Sequence, residues 1–158
     1  MNNARRPRLP AALLGAISVV LAPLAAAEVK VTEAWAPATP AGARVAAVYL
    51  TVTNDGDEER SLMKIVSPLT DAITLHRTSV TSEGVTRMWP MSGLELEAGE
   101  TLRMQPGGLH VMFTALTAPL VAGEKVPLTL KFNGGEPEFT LMVEVRPPVS
   151  AADRHAHH

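Results

Sequence analysis

Two histidines and two methionines carry most of the chemistry this sequence can offer: His76, Met88, His110 and Met112. The chain has five histidines and no cysteine, and His155, His157 and His158 fall within its last four residues. The histidines of the expected folded region are therefore His76 and His110. Thioether sulfur is a soft, neutral ligand that needs no deprotonation, and imidazole binds copper once it is neutral. A set of two imidazoles and two thioethers favours monovalent copper. Without a thiolate, a blue-copper electron-transfer centre is excluded.

The elements that must position these side chains read as strands. Residues two apart on a strand share a face, so His110 and Met112 project together while Val111 and Phe113 point the other way. His76 lies in a run from Ile73 to Val80 and Met88 in a run from Val85 to Trp89, joined across Ser82-Glu83-Gly84 as a hairpin. Pro106-Gly107-Gly108 lets the chain turn sharply just before His110 and is expected to present it at a rim. Further strand candidates are Glu28 to Ala36, Arg44 to Thr53, Ser61 to Val66, Thr101 to Met104, Leu109 to Leu116, Val126 to Phe132 and Glu138 to Val145. In the first of these, Val29, Val31 and Trp35 mark one face. Short strands punctuated by turn signals predict an all-β, Greek-key antiparallel sandwich, with at most one helical turn near Pro68 to Ala72.

Methionine is more often a gap-filler in a core than a ligand. Met63, Met91, Met104 and Met142 are read first as packing residues, with Met91 the one near enough to serve as an auxiliary thioether. Trp89 is read as packing, or as a shield over the site. Arg154-His155-Ala156-His157-His158 is a candidate secondary site, and its histidine cluster suits divalent copper.

Residues 1–27 have the form of a cleavable export signal: Arg5, Arg6 and Arg8, an apolar stretch from Ala11 to Leu24, and Ala25-Ala26-Ala27 as a small-residue cleavage site. That stretch is short for a membrane span and contains Pro23, so a retained anchor is the secondary expectation. Residues 28–148 are expected to form one copper-binding domain and 149–158 a flexible tail. The whole chain has a formal net charge of −2, and loss of the signal arginines makes it more acidic. No basic run is present, which argues against a nucleic-acid partner. An exported protein meets an oxidising compartment where cysteine ligands are liable to oxidise, a hazard that a histidine and methionine set largely avoids. The expected location is the periplasm of a Gram-negative cell, with no stable membrane span after cleavage.

The spacing resembles that of the PCuAC family of periplasmic copper chaperones. Their signature is a histidine, often a methionine after it, ten residues, a methionine, twenty-one residues, then histidine-x-methionine. Here His76 and Arg77 are followed by ten residues (Thr78 to Arg87), Met88, twenty-one residues (89–109) and His110-Val111-Met112. The flanks Thr74-Leu75-His76, Gly84-Val85-Thr86-Arg87-Met88, Ala34-Trp35-Ala36 and Ala46-Ala47-Val48-Tyr49 are similar too. Arg77 departs from the pattern at the optional methionine. The resemblance implies a cupredoxin-like sandwich that binds Cu(I) through His76, Met88, His110 and Met112 and helps metallate the CuA centre of cytochrome c oxidase. The implied acceptor is the copper-site subunit of the oxidase or a thiol-bearing chaperone of the Sco type. The alternative is copper sequestration for resistance. An enzyme is not expected, since the fold lacks the histidine count of an oxidative copper site.

Overall fold

A computed structural model describes residues 29–134 and 138–148. The expected export signal and the tail histidines His155, His157 and His158 lie outside the described residues. Ten strands follow in chain order: β1 (Val29–Pro37), β2 (Ala46–Asn54), β3 (Arg60–Val66), β4 (Ile73–Val80), β5 (Thr86–Met91), β6 (Leu94–Leu96), β7 (Thr101–Arg103), β8 (Leu109–Phe113), β9 (Lys125–Phe132) and β10 (Phe139–Arg146). Hydrogen-bonded neighbours run β5-β4-β8-β2-β1-β10-β9-β3-β6, with β7 also on β2. The β5-β4-β8-β2 portion forms one layer, and the path folds over through β1 and β10 to the β9-β3-β6 portion.

The alternation of the sequence explains this closure. β9 buries Val126, Leu128, Leu130 and Phe132 at every second position, and β10 buries Val143 and Val145. These meet Val48, Leu50, Val52, Leu75, Val111 and Phe113 of the other layer in one apolar core. Burying a side chain of this size fully is worth roughly 1.5–3 kcal/mol, and no disulfide assists because the chain has no cysteine.

The structure departs from the sequence-based expectation in four places. β1 and β10 pair in parallel, through Trp35↔Glu144, Ala36↔Val145 and Pro37↔Arg146, whereas the strand pattern suggests antiparallel neighbours throughout. β6 is an additional short strand that pairs with β3. The segment near Pro68 forms turns and a Ser67↔Thr70 bridge instead of a helical turn. Last, β1 changes face midway: its register with β2 shifts between Thr32 and Trp35, where Glu33 adopts a φ of 52°. Such a bulge inserts one residue against its partner strand and re-aims the residues beyond it. Val31 stands opposite the core residue Val52, but Trp35 stands opposite Tyr49 on the outer face. Trp35 therefore does not share a face with Val29 and Val31.

Candidate metal centre

The site is laid out on the outer face of the β5-β4-β8-β2 layer by strand register. His76 and His110 are direct cross-strand partners between β4 and β8, and their ring centroids are 5.9 Å apart. Met112 faces Thr74 across the same strand pair. Met88 faces Thr78 across β4 and β5. Both methionines are thus diagonal neighbours of His76, one on either side. Diagonal positions lie about 7–8 Å apart, within reach of long side chains, and methionine has three rotatable bonds with which to close the gap. His110, Met88, Met112, Tyr49 and Thr78 line a common open depression of ≈ 460 Å³, rimmed by Thr39 and Val45.

The turn before β8 orients His110. Gly107 takes a φ of 78°, and the Gly108 N–H donates to the Gln105 carbonyl at 3.0 Å. Proline followed by a residue at positive φ is the arrangement of a type II turn, which glycine adopts without a Cβ clash. The Gly108 carbonyl oxygen lies 3.1 Å from His110 Nδ1 and also accepts the Thr78 N–H at 3.0 Å. Since the carbonyl can only accept, Nδ1 carries the proton and Nε2 keeps its lone pair. His110 is 5% exposed, deeper than the rim position expected from the sequence. Tyr49 packs beside it with ring centroids 6.3 Å apart. Behind Tyr49 stands Trp35 at 4.8 Å, and the Arg146 guanidinium lies 5.3 Å over the Trp35 ring. A row of rings, one from each of β4, β8, β2 and β1, thus runs back from His76 to Trp35.

His76 has two different nitrogen environments. Its Nε2 lies 2.8 Å from Thr74 Oγ1, while its Nδ1 is buried without a hydrogen-bond partner. Buried polar atoms are normally satisfied, and the exceptions call for a cause. Burial and, secondarily, the nearby His110 imidazole push the His76 pKa below its ordinary 6.5, which keeps the ring neutral and able to act as a ligand near pH 7.

Among the described residues no three His, Asp or Glu side chains converge as a metal site. A metal held here by protein ligands alone would have to recruit thioethers, which points to a soft ion. Two imidazoles, each with a lone pair to offer, and two flanking thioethers fit monovalent copper. The exposure gradient is steep, since Met88 is 49% exposed beside the buried His110. Met88 therefore stands in solvent on edge strand β5.

Other candidates fall elsewhere. Met91 faces Leu75 and packs against the core, on the face opposite Met88; three residues along a strand reverse the side, so the auxiliary-ligand expectation fails. Arg77 and Trp89 face one another on that same opposite side, and Trp89 is 41% exposed, so it does not shield the site. Met104 is buried as expected, but Met63 and Met142 are exposed instead of packed. Tyr49 is the site neighbour that sequence reasoning did not single out. Its signal was an aromatic residue at an outward position of β2.

Comparison with known proteins gives this arrangement a family. The family model described as "Putative lipoprotein LpqE-like" matches residues 29–145. A protein of Leifsonia xyli subsp. xyli named "Putative lipoprotein Lxx21020" is 36% identical over 107 residues, which is 68% of this chain. The match spans 63% of that relative's length. The Cu(I) form of DR1885 from Deinococcus radiodurans is 32% identical over 74% of this chain and 77% of that one, with a TM-score of 0.59. The copper-bound PCuAC domain of PmoF2 has a TM-score of 0.64 over 77% of this chain and 94% of that one; at 22% identity it speaks for the fold alone. The chain therefore belongs to the LpqE-like family, the family of the PCuAC domains, and has their cupredoxin-like β fold.

Proposed function

We propose that this protein is an exported copper chaperone that holds Cu(I) through His76, Met88, His110 and Met112 in the periplasm and hands it to cytochrome c oxidase for CuA assembly. The observation that carries the reading is the register pairing of His76 with His110, flanked on one face by Met112 and Met88. Copper is cargo here, not a resident cofactor. The buried, tethered His110 would anchor the ion, while the exposed Met88 is the ligand an incoming thiolate can displace first. Transfer to a thiol-bearing acceptor, the copper-site subunit of the oxidase or a Sco-type chaperone, is then a sequence of ligand exchanges that needs no redox step. No catalytic role is assigned to the fold. The histidines at 155, 157 and 158 would bind Cu(II) separately from the main site.

X-ray absorption at the copper edge tests the site, on the full chain and on a form ending at residue 149. The expected result is Cu(I) with mixed sulfur and nitrogen ligation in both. An all-nitrogen environment, or loss of the sulfur signal with the tail, would overturn it. For delivery, cells lacking the protein should lose oxidase activity when copper is scarce. Sensitivity only to excess copper would favour sequestration.

A further inference from the structure

The two imidazoles of the pair are held by different hydrogen bonds, and the difference dictates which nitrogen each offers. A neutral imidazole carries its proton on one ring nitrogen only, and the bond made by the other nitrogen selects the tautomer. His110 Nδ1 is committed to the Gly108 carbonyl. His76 is held from the opposite end, with Nε2 2.8 Å from Thr74 Oγ1. A hydroxyl can donate or accept, so this contact alone leaves the tautomer open. The second nitrogen closes the question. His76 Nδ1 is buried with no partner. A proton there would be a buried donor with no acceptor, the costlier arrangement, whereas an unprotonated Nδ1 keeps a lone pair that no hydrogen bond occupies. Thr74 itself stands opposite Met112 across β4 and β8.

We propose that Thr74 is a positioning residue: its hydroxyl accepts the His76 Nε2–H and thereby presents Nδ1 to copper, so that His76 ligates through Nδ1 while His110 ligates through Nε2. This rests on the copper reading above. Nδ1 is the ring nitrogen nearer the backbone, so a copper ion held by it would lie closer to β4 than one held by Nε2, and His110, the cross-strand partner of His76, would offer Nε2 from β8. Outer hydrogen bonds of this kind set ring orientation, and losing one typically costs 10–100-fold in metal affinity.

Long-range ¹H–¹⁵N NMR on histidine-labelled protein reads the tautomers directly, first without metal. His76 should show a protonated Nε2 and a bare Nδ1, and His110 the reverse. One equivalent of Cu(I) should then shift Nδ1 of His76 and Nε2 of His110. Thr74→Val, isosteric and still β-branched, should mix the His76 tautomers and weaken Cu(I) binding about tenfold; Thr74→Ser should restore both. A protonated Nδ1 in the metal-free protein, a copper-induced shift at His76 Nε2, or wild-type behaviour of Thr74→Val would overturn the assignment. If the wild-type chain bound no Cu(I), the functional reading would fall instead, and the metal-free tautomers would still decide the role of Thr74.

Discussion

Replacing Met112 by leucine separates its proposed part in metal binding from its part in the fold. Met112 is half-buried on the outer face, between Thr74 of β4 and Ala47 of β2. Leucine nearly conserves its volume, and such swaps cost under about 1.5 kcal/mol even in a core; at this half-buried position about 0.5 kcal/mol is reasonable. For a domain of this size 1 kcal/mol moves Tm by about 4 °C, so the metal-free variant should melt within roughly 2 °C of wild type. Free Cu(I) buffered at about 100 times the wild-type Kd adds about 2.7 kcal/mol, or near 11 °C. If loss of one thioether weakens binding by about two orders of magnitude, the same buffer adds only about 0.4 kcal/mol to the variant, under 2 °C. Circular dichroism melts in a chelator-buffered Cu(I) series under reductant measure all three shifts. A variant that keeps the full copper-induced rise would remove Met112 from the ligand set, and one that collapses without metal would show that the thioether is structural.

Three further outcomes are expected. His110→Ala should abolish Cu(I) binding in competition titrations and also cost about 1–3 kcal/mol in urea unfolding, because the ring is buried against Tyr49; an unchanged midpoint would contradict that packing. Gly107→Ala forces an alanine to a φ of 78°, costing about 1–2 kcal/mol and weakening copper binding by moving the Gly108 carbonyl, checked by melts and titration together. The third concerns acid: His76 has a folded pKa below 6.5, so the unfolded chain takes up its proton first. Stability from this group is intact above about pH 6.5 and falls as the pH drops toward the folded pKa. Cu(I) affinity should fall over the same range as protons compete for the imidazoles, and urea midpoints from pH 7.5 to 5 that rise on acidification would reverse the assigned sign.

Much of the site is legible in the amino-acid sequence. The His110-x-Met112 spacing sets a shared face by strand geometry alone, and the Ser82-Glu83-Gly84 turn implies the β4–β5 hairpin. The same parity rule separates Met88 from Met91, three residues apart, a consequence that the auxiliary-ligand expectation overlooks. Other features need the folded chain. β6 is three residues long, too short for a period to register. The parallel β1–β10 ladder joins segments from opposite ends of the domain, and no local pattern records such pairing. That Tyr49 lies beside His110 follows from the β2–β8 register, which two separate alternations do not determine.

The bulge at Glu33 makes β1 a strand that serves two masters in turn. Before it Val29 and Val31 face the core, after it Ala36 faces the core and Trp35 the outer face, and one extra residue performs the change of phase. Removing that residue would restore an uninterrupted alternation that looks more regular on paper. It would also turn Trp35 inward, strip the support behind Tyr49 and slip the pairing with Glu144 on β10. The length of β1 is thus a constraint in its own right: a relative could change many of its side chains and keep the site, but dropping a single position would put the right residues on the wrong side of the sheet.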